Sequence, residues 1–357
     1  PRADDIVAPN GARFDRTEGV LPSIITRYAA ERERALAAGD DTAAYVYKIL
    51  QNSFYGVLGA EGCRYARTEL AGAITSFGRK YLLESRDFFE ARGYRVLYGD
   101  TDSVFVESGR GAAAPREELS ALGEALAAEL NAEIQARVAA EYGLESRLRI
   151  RCEKLYRRFF IPRLRIDAGG EGARGRAKGY AGLRLEDDGA EVVEVKGMEA
   201  ARSDWTPLAR RFQVELLGLV FRAAGEEEVR AYCRGVAAAL RRGDFDGELV
   251  YRKYLRRAAE DYGSETPQVR AARLLGWEGR RGAVSYVMTK SGAEPASLRS
   301  GAPLDYGHYV ERQLLPIARA VADALRAADG RAGEAPGGGG WNAEAWLGDR
   351  PQLELGL

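Results

Sequence analysis

The stretch Val96-Leu97-Tyr98-Gly99-Asp100-Thr101-Asp102-Ser103-Val104-Phe105-Val106 places two carboxylates, two residues apart, between apolar runs of strand-forming residues. Side chains at i and i+2 of a strand share a face, so Asp100 and Asp102 sit together if strand geometry holds through Thr101. Two carboxylates so placed repel each other unless a cation lies between or beside them. Hard oxygen ligands on a partly open site suit Mg²⁺ or Mn²⁺, which keep water and take phosphate oxygens. Gly99-Asp100 is read as the tight turn of a β-hairpin with a polar tip. The same two residue types also make plain β-turns, so the stretch alone leaves both readings open.

A second set lies upstream. Lys48, Asn52 and Tyr55 fall at i, i+4 and i+7 of a helix expected over 42–55, and so share one face. A cation, an amide and an aromatic there can grip a triphosphate and stack beside a base pair. They also suit a solvated face with a snorkelling lysine. Glu153 is either a third acid near the hairpin or a strand-edge charge. Downstream, the Gly-rich basic stretch Arg174, Arg176, Lys178 runs into Tyr180-Ala181-Gly182, a pattern that can follow a phosphate backbone or close a surface hairpin. Tyr251-Arg252-Lys253-Tyr254 and Val269-Arg270-Ala271-Ala272-Arg273 interleave bases with aromatic or apolar residues, which suits contacts that position nucleic acid without reading its sequence.

Composition narrows the chemistry. The 357 residues can hold two or three domains. Formal net charge is zero, so nucleic-acid binding must come from local patches. His308 is the only histidine, which argues against Ser-His-Asp and His-metal sites. Cys63, Cys152 and Cys233 are far apart and form no CxxC pair, so a zinc site or disulfide framework is not expected and a reducing compartment fits. No signal peptide or long apolar run appears, and no membrane partner is expected.

The elements that must carry these residues follow from periodicity and punctuation. Residues 1–19 give no clear pattern. A helix starts near Pro22 and stops at Gly39; a second, capped by the polar residues 39–42, breaks at Gly56; a third spans about 70–92 and feeds the acidic hairpin. A helix over about 117–142 precedes a stretch at 148–161 that alternates in part like a strand. The pattern over 206–242 is helical, and a last helix over 303–328 is interrupted at Pro316. Gly337–Gly340 reads as a flexible linker ahead of a tail, Gln352-Leu353-Glu354-Leu355-Gly356-Leu357.

In this order the motifs resemble those of family B DNA polymerases, most closely the bacterial members, over about residues 20–328. Lys48 to Gly56 resembles the fingers motif, and Tyr98-Gly99-Asp100-Thr101-Asp102-Ser103 the palm carboxylate motif. Tyr180-Ala181-Gly182, Lys196-Gly197-Met198-Glu199 with Asp204-Trp205-Thr206, Tyr251-Arg252-Lys253 and Val269–Arg273 follow in sequence. The resemblance implies template-directed nucleotidyl transfer from a deoxynucleoside triphosphate to a primer 3′-OH, with Mg²⁺ or Mn²⁺. It implies Asp102 as the metal-bridging acid, with Asp100 in support; Glu153 is the candidate third metal ligand on the residue reading alone. Arg32, Lys48, Asn52, Tyr55 and Gly56 then hold the nucleotide and line the nascent pair. Lys178, Tyr180, Lys196, Arg202, Tyr251, Arg252, Lys253 and Arg270 contact DNA. The tail resembles a sliding-clamp-docking peptide through Gln352, Leu353 and Leu355, without its usual final aromatic.

The implied fold is α+β: an antiparallel palm sheet, a helical fingers hairpin and a mostly helical thumb. Residues 1–60 are expected to hold a palm remnant and the fingers helices, 61–204 the palm, 205–330 the thumb, and 331–357 the linker and tail. A bacterial, cytoplasmic, nucleoid-associated setting follows from the same resemblance. The sequence also departs from the family pattern. Ala177 and Gly179 flank Lys178 where adjacent bases are usual, and Leu36 stands where a base is expected one turn after Arg32. The Asp-x-x-Ser-Leu-Tyr-Pro-Ser motif that supplies the second catalytic acid is absent from residues 1–19, as is any exonuclease domain. The expectation is the carboxy-terminal part of a polymerase, inactive alone, and partnered by a chain with the upstream half. The alternatives are a non-catalytic DNA- and clamp-binding remnant, or an unrelated metal-dependent phosphotransferase built on Asp100 and Asp102.

Overall fold

The computed structural model describes residues 5–64, 66–162, 178–329 and 341–348. Contacts divide the chain into two compact units, Pro1–Glu153 and Lys154–Leu357. The architecture is α+β, as expected, with antiparallel pairing in each sheet among the described residues.

The first unit opens with a short hairpin, β1 (Ile6–Val7) and β2 (Arg13–Phe14), where the sequence reading placed no element. The signal was Asn10-Gly11: the Asn10 side chain accepts the Ala12 N–H and Gly11 takes φ +84°, both turn chemistry. Helices α1 (Val20–Ala37) and α2 (Asp41–Gly59) then fold back on each other through Gly39 at φ +72°. The Asp40 side chain caps α2 by accepting the Ala43 N–H at 2.9 Å. Tyr28 of α1 packs against Tyr47 and Phe54 of α2, at centroid distances of 5.9 and 6.1 Å. Contrary to expectation, α2 passes through Gly56 and ends at Gly59. A single helical glycine costs only about 1 kcal/mol relative to alanine, too little by itself to stop a helix.

Helix α3 (Thr68–Glu90) packs on α2 at one end and on the hairpin β3 (Arg95–Asp100) and β4 (Ser103–Glu107) at the other. Phe88 and Phe89 of α3 form the core with Leu130, Ile134 and Val138 of α4 (Arg116–Tyr142), and Val96, Val104 and Val106 of the hairpin pack against it. Lys80 donates to the Tyr142 hydroxyl and pairs with Glu141, tying α3 to α4. Of the strand expected over 148–161, only β5 (Leu155–Phe160) forms. Asn131 takes both the N–H and the C=O of Ile150, each at 2.8 Å, so that backbone is satisfied by a side chain and not by a ladder.

In the second unit β5, β6 (Tyr180–Leu185) and β7 (Glu191–Lys196) form one sheet in that order. Ala181, Leu183, Val193 and Val195 join the core under α5 (Pro207–Phe221). The helical pattern over 206–242 is two helices: α5 ends, Ala223 turns at φ +59°, and α6 (Glu226–Arg242) follows. Beyond it lie β8 (Tyr251–Leu255), α7 (Pro267–Leu274), β9 (Gly282–Thr289) and β10 (Gly292–Pro295), with sheet order β10-β9-β8. The region expected to be mostly helical therefore carries its own sheet.

The last long helical path runs through α8 (Tyr306–Tyr309), a π turn (Val310–Leu314) and α9 (Leu315–Ala328) without a break at Pro316. Pro316 is the second residue of α9, directly after the π turn, and its fixed φ suits the helical path. A short α10 (Ala343–Leu347) seats Trp346, fully buried, against α6 and α9. The Gly337–Gly340 linker lies outside the described residues. Among the described residues, no helix is long and apolar enough to cross a membrane.

Candidate active site and nucleic-acid interface

The acidic hairpin is built from the strand register outward. Tyr98, Gly99 and Asp100 pair with Phe105, Val104 and Ser103, and a bulge between Val96 and Tyr98 shifts the register. Two residues, Thr101 and Asp102, make the turn. The turn expected at Gly99-Asp100 therefore lies two residues later, and both of those residues stay in β3. Thr101 takes φ +52°, a left-handed conformation that is costly for a β-branched residue. Strand alternation consequently stops at Asp100, and the shared-face argument for the two acids does not carry across Thr101. Local hydrogen bonds fix the tip instead. The Asp102 N–H donates to the Asp100 carbonyl at 2.6 Å, the Thr101 hydroxyl to Asp100 Oδ1 at 3.0 Å, and the Ser103 hydroxyl to the Asp100 carbonyl at 3.2 Å.

Asp100 is half-buried and Asp102 exposed. Among the described residues, no three His, Cys, Asp or Glu side chains gather as a metal cluster, so Glu153 does not complete a three-acid group with them. Two carboxylates with oxygen donors alone fit a hard divalent cation that keeps water and phosphate ligands.

The second set stands on α2. Lys48, Asn52 and Tyr55 are all exposed on one stretch of its surface, Gly56 has open space where a side chain would project, and Arg32 on α1 is half-buried. The hairpin and this helix belong to the same unit and both pack on α3.

In the second unit the β5–β7 sheet gathers several of the expected DNA contacts. Lys178 lies two residues before the start of β6 at Tyr180, and Tyr180 pairs in register with Lys196 of β7. The Tyr180 ring lies 5.2 Å from that of Phe159. Gly197 turns at φ +62° against the backbone of Lys178. Arg202 forms a two-bonded pair with Asp204, at 2.9 and 2.8 Å. That hydrogen-bonded guanidinium, with Lys253 farther off, holds Asp204 below the usual carboxylate range. Thr206 caps α5, and its N–H and hydroxyl both donate to Gln313 of the π turn.

Along β8, Arg252 and Tyr254 are exposed, whereas Tyr251 is 5% exposed and its hydroxyl meets His308 Nε2 at 2.9 Å. Tyr251 is thus a core residue stacked between Tyr286 and Tyr309, and Arg252 and Lys253 are the members of that motif that reach solvent. Arg270 donates to the Ser291 carbonyl at 2.7 Å, bracing the β9–β10 turn.

One residue of this sheet was not singled out from sequence. Glu194 accepts from Lys154 Nζ and from the Tyr156 hydroxyl, each at 2.7 Å, and lies 3.4 Å from Lys196 Nζ and 3.7 Å from Arg184 Nε. Tyr156 reaches it by lying across Gly182, which pairs with Glu194 and whose Cβ would stand 2.4 Å from that ring. Burial opposes the charge on Glu194, but the bonds from Lys154 and Tyr156 prevail and hold its pKa at about 2. The alternation Glu191-Val192-Val193-Glu194-Val195-Lys196 is the sequence signal for a polar face here. Gln352, Leu353 and Leu355 of the tail, and Arg174 and Arg176 of the basic loop, lie outside the described residues.

DNA polymerase family B matches residues 6–292. DNA polymerase II of Escherichia coli (strain K12) is 39% identical over 322 residues, 87% of this chain and 39% of that protein. DNA polymerase 2 of Aeropyrum pernix is 29% identical over 282 residues, 76% of this chain and 30% of its own. Among solved structures, the family B DNA polymerase from the hyperthermophilic archaeon Pyrobaculum calidifontis superposes with a TM-score of 0.56 at 26% identity, covering 90% of this chain and 40% of that one. The chain thus spans two fifths or less of the length of these relatives, and on the family match and the identity to the Escherichia coli enzyme it belongs to DNA polymerase family B.

Proposed function

We propose that these residues supply the nucleotide grip, one metal-binding acid pair and the duplex-holding surface of a DNA polymerase. The reaction is template-directed transfer of a nucleotidyl group from a deoxynucleoside triphosphate to a primer 3′-OH. The observation that carries the reading is that the Asp100/Asp102 hairpin and the Lys48/Asn52/Tyr55 face belong to one unit and both rest on α3. Residues 1–60 then serve as fingers with a palm remnant, 61–204 as palm, and 205–330 as thumb.

Asp102 and Asp100 would hold Mg²⁺ or Mn²⁺, which when bound lowers the cost of charge on the attacking and leaving oxygens. Lys48 and Asn52 hold the triphosphate by charge and hydrogen bonds, with Arg32 behind them, while Tyr55 and Gly56 line the nascent pair. Lys178, Tyr180, Lys196, Arg202, Arg252, Lys253 and Arg270 hold primer-template DNA. A sliding clamp reached through Gln352, Leu353 and Leu355 is a further partner.

The 357 residues carry one of the family's two catalytic acid motifs, so we expect them to extend no primer by themselves. The test is primer extension with Mg²⁺ by these residues alone, and again with a polypeptide carrying the second acid motif. Extension only in the combined reaction, abolished by Asp102→Ala, supports the reading. An Asp102→Ala combination as active as the unsubstituted one overturns it. A non-catalytic DNA-binding role is the second reading, and duplex binding with no extension in any combination favours it.

A further inference from the structure

We propose that Lys154, Arg184 and Lys196 form a binding site for a backbone phosphodiester, and that Glu194 is its internal competitor, a built-in carboxylate that weakens the grip. The proposal rests on the polymerase reading for the identity of the phosphate donor; the geometry of the site is independent of it.

Three cations and one acid converge on a single point of the β5–β7 sheet. Glu194 Oε1 lies 2.7 Å from Lys154 Nζ and 3.4 Å from Lys196 Nζ, and Oε2 lies 3.7 Å from Arg184 Nε. The acid is set deep, with 14% of its side chain exposed, while Lys196 is 54% and Lys154 33% exposed. The cations therefore form the outer layer and the acid the inner one. Counting Glu194 against the three bases leaves two positive charges, and Glu186 beside Arg184 offsets part of the remainder. The opposite face of the sheet is buried against α5, so this polar face is the one a ligand can meet.

A phosphodiester approaching Lys196 and Lys154 takes the same ammonium protons that Glu194 now holds. Its charge is also repelled by a carboxylate that stays ionised, because it sits among three bases. Glu194 thereby sets how tightly that face holds DNA. It does so without touching the reacting atoms.

The test measures the affinity of the full chain for a primer-template duplex by fluorescence anisotropy across a salt series, with Glu194→Gln as the variant. Gln keeps an acceptor for the Tyr156 hydroxyl and removes the charge. We expect Glu194→Gln to bind the duplex about three- to tenfold more tightly at low salt, with a steeper salt dependence, by up to about 0.9 in slope per added phosphate contact. Should that variant fail to fold, Lys154→Ala replaces it, with an expected three- to tenfold loss of affinity and a shallower slope.

Unchanged or weaker binding by folded Glu194→Gln overturns the competitor role, as does unchanged binding by Lys154→Ala. An arm with inorganic phosphate at matched ionic strength separates a free-anion site: tightening for phosphate alone, with duplex affinity unchanged, also overturns the proposal. If the unsubstituted chain binds no duplex, the polymerase reading and this site fail together; if it binds and the variants do not respond, this site alone fails.

Discussion

The carbonyl oxygen of Lys178 lies 1.5 Å from the position a Cβ on Gly197 would occupy. With φ at +62°, residue 197 is thus held to glycine twice over, by conformation and by contact. The contact draws the start of β6 against the end of β7, and so fixes Lys178, Tyr180 and Lys196 relative to one another.

Gly197→Ala is accordingly expected to lower unfolding free energy by about 3 kcal/mol or more, since backbone must move to admit the methyl group. Urea denaturation measures it. A loss below about 1 kcal/mol would mean that the Lys178 turn yields freely.

Acid stability provides a second check. The folded Glu194 pKa of about 2 lies below its ordinary value of 4.5, so its contribution is full above pH 4.5 and disappears as the pH falls towards 2. The unsubstituted chain should lose stability faster than Glu194→Gln across that window, as followed by thermal midpoints. Parallel pH profiles would remove Glu194 from the balance.

At the acidic tip, Thr101 pays for its left-handed backbone and returns a hydroxyl bond to Asp100. Alanine keeps the strain and loses the bond; glycine loses both. Thr101→Gly should therefore be more stable than Thr101→Ala by about 1 kcal/mol. Equal stabilities of the two variants would show that the turn relaxes in solution.

Gly56 sets stability against use. It lies within α2 with open space around it, so Gly56→Ala should raise stability by about 0.5–1 kcal/mol through helix propensity. In the reconstituted extension assay the same methyl group should raise the apparent KM for the nucleotide, because it occupies the proposed seat of the nascent pair. A variant both more stable and fully active would move that seat elsewhere.

Lys48→Ala addresses the triphosphate directly. Loss of a charge-assisted bond of about 1.5–3 kcal/mol predicts a ten- to hundredfold lower kcat/KM for nucleotide in steady-state extension. The melting temperature should hardly change, because Lys48 is exposed. An unchanged kcat/KM would place the triphosphate on another surface.

Much of this was legible in the residues, and the exceptions have physical causes. Helix α1 announced itself through a Pro near its start and a glycine stop, α4 through apolar residues at helical spacing, and α5 through its start at Thr206-Pro207, though not its end. The β10-β9-β8 sheet did not, because Tyr251-Arg252-Lys253-Tyr254-Leu255 reads as a basic-aromatic stripe until its period of two is noticed. Tyr251 and Leu255 face the core while Arg252 and Tyr254 face solvent. The acidic turn was expected two residues too early because a β-branched residue with positive φ is not a choice that turn statistics favour. Glu194 escaped notice because its importance lies in partners that pairing brings together from 154, 156 and 184.

The wide turn at Val310–Leu314 has a mechanical reading. A π turn accommodates one more residue than the regular spiral, which advances everything after it by about 100° relative to an uninterrupted helix. Gln313 occupies that turn and holds Thr206 at the entrance of α5, directly after the Asp204-Trp205 pair. Deleting a single residue there would restore the ordinary spiral and swing the amide away from its anchor. The irregularity thus acts as a phase-setting spacer, timing the last long helix to the loop that enters α5.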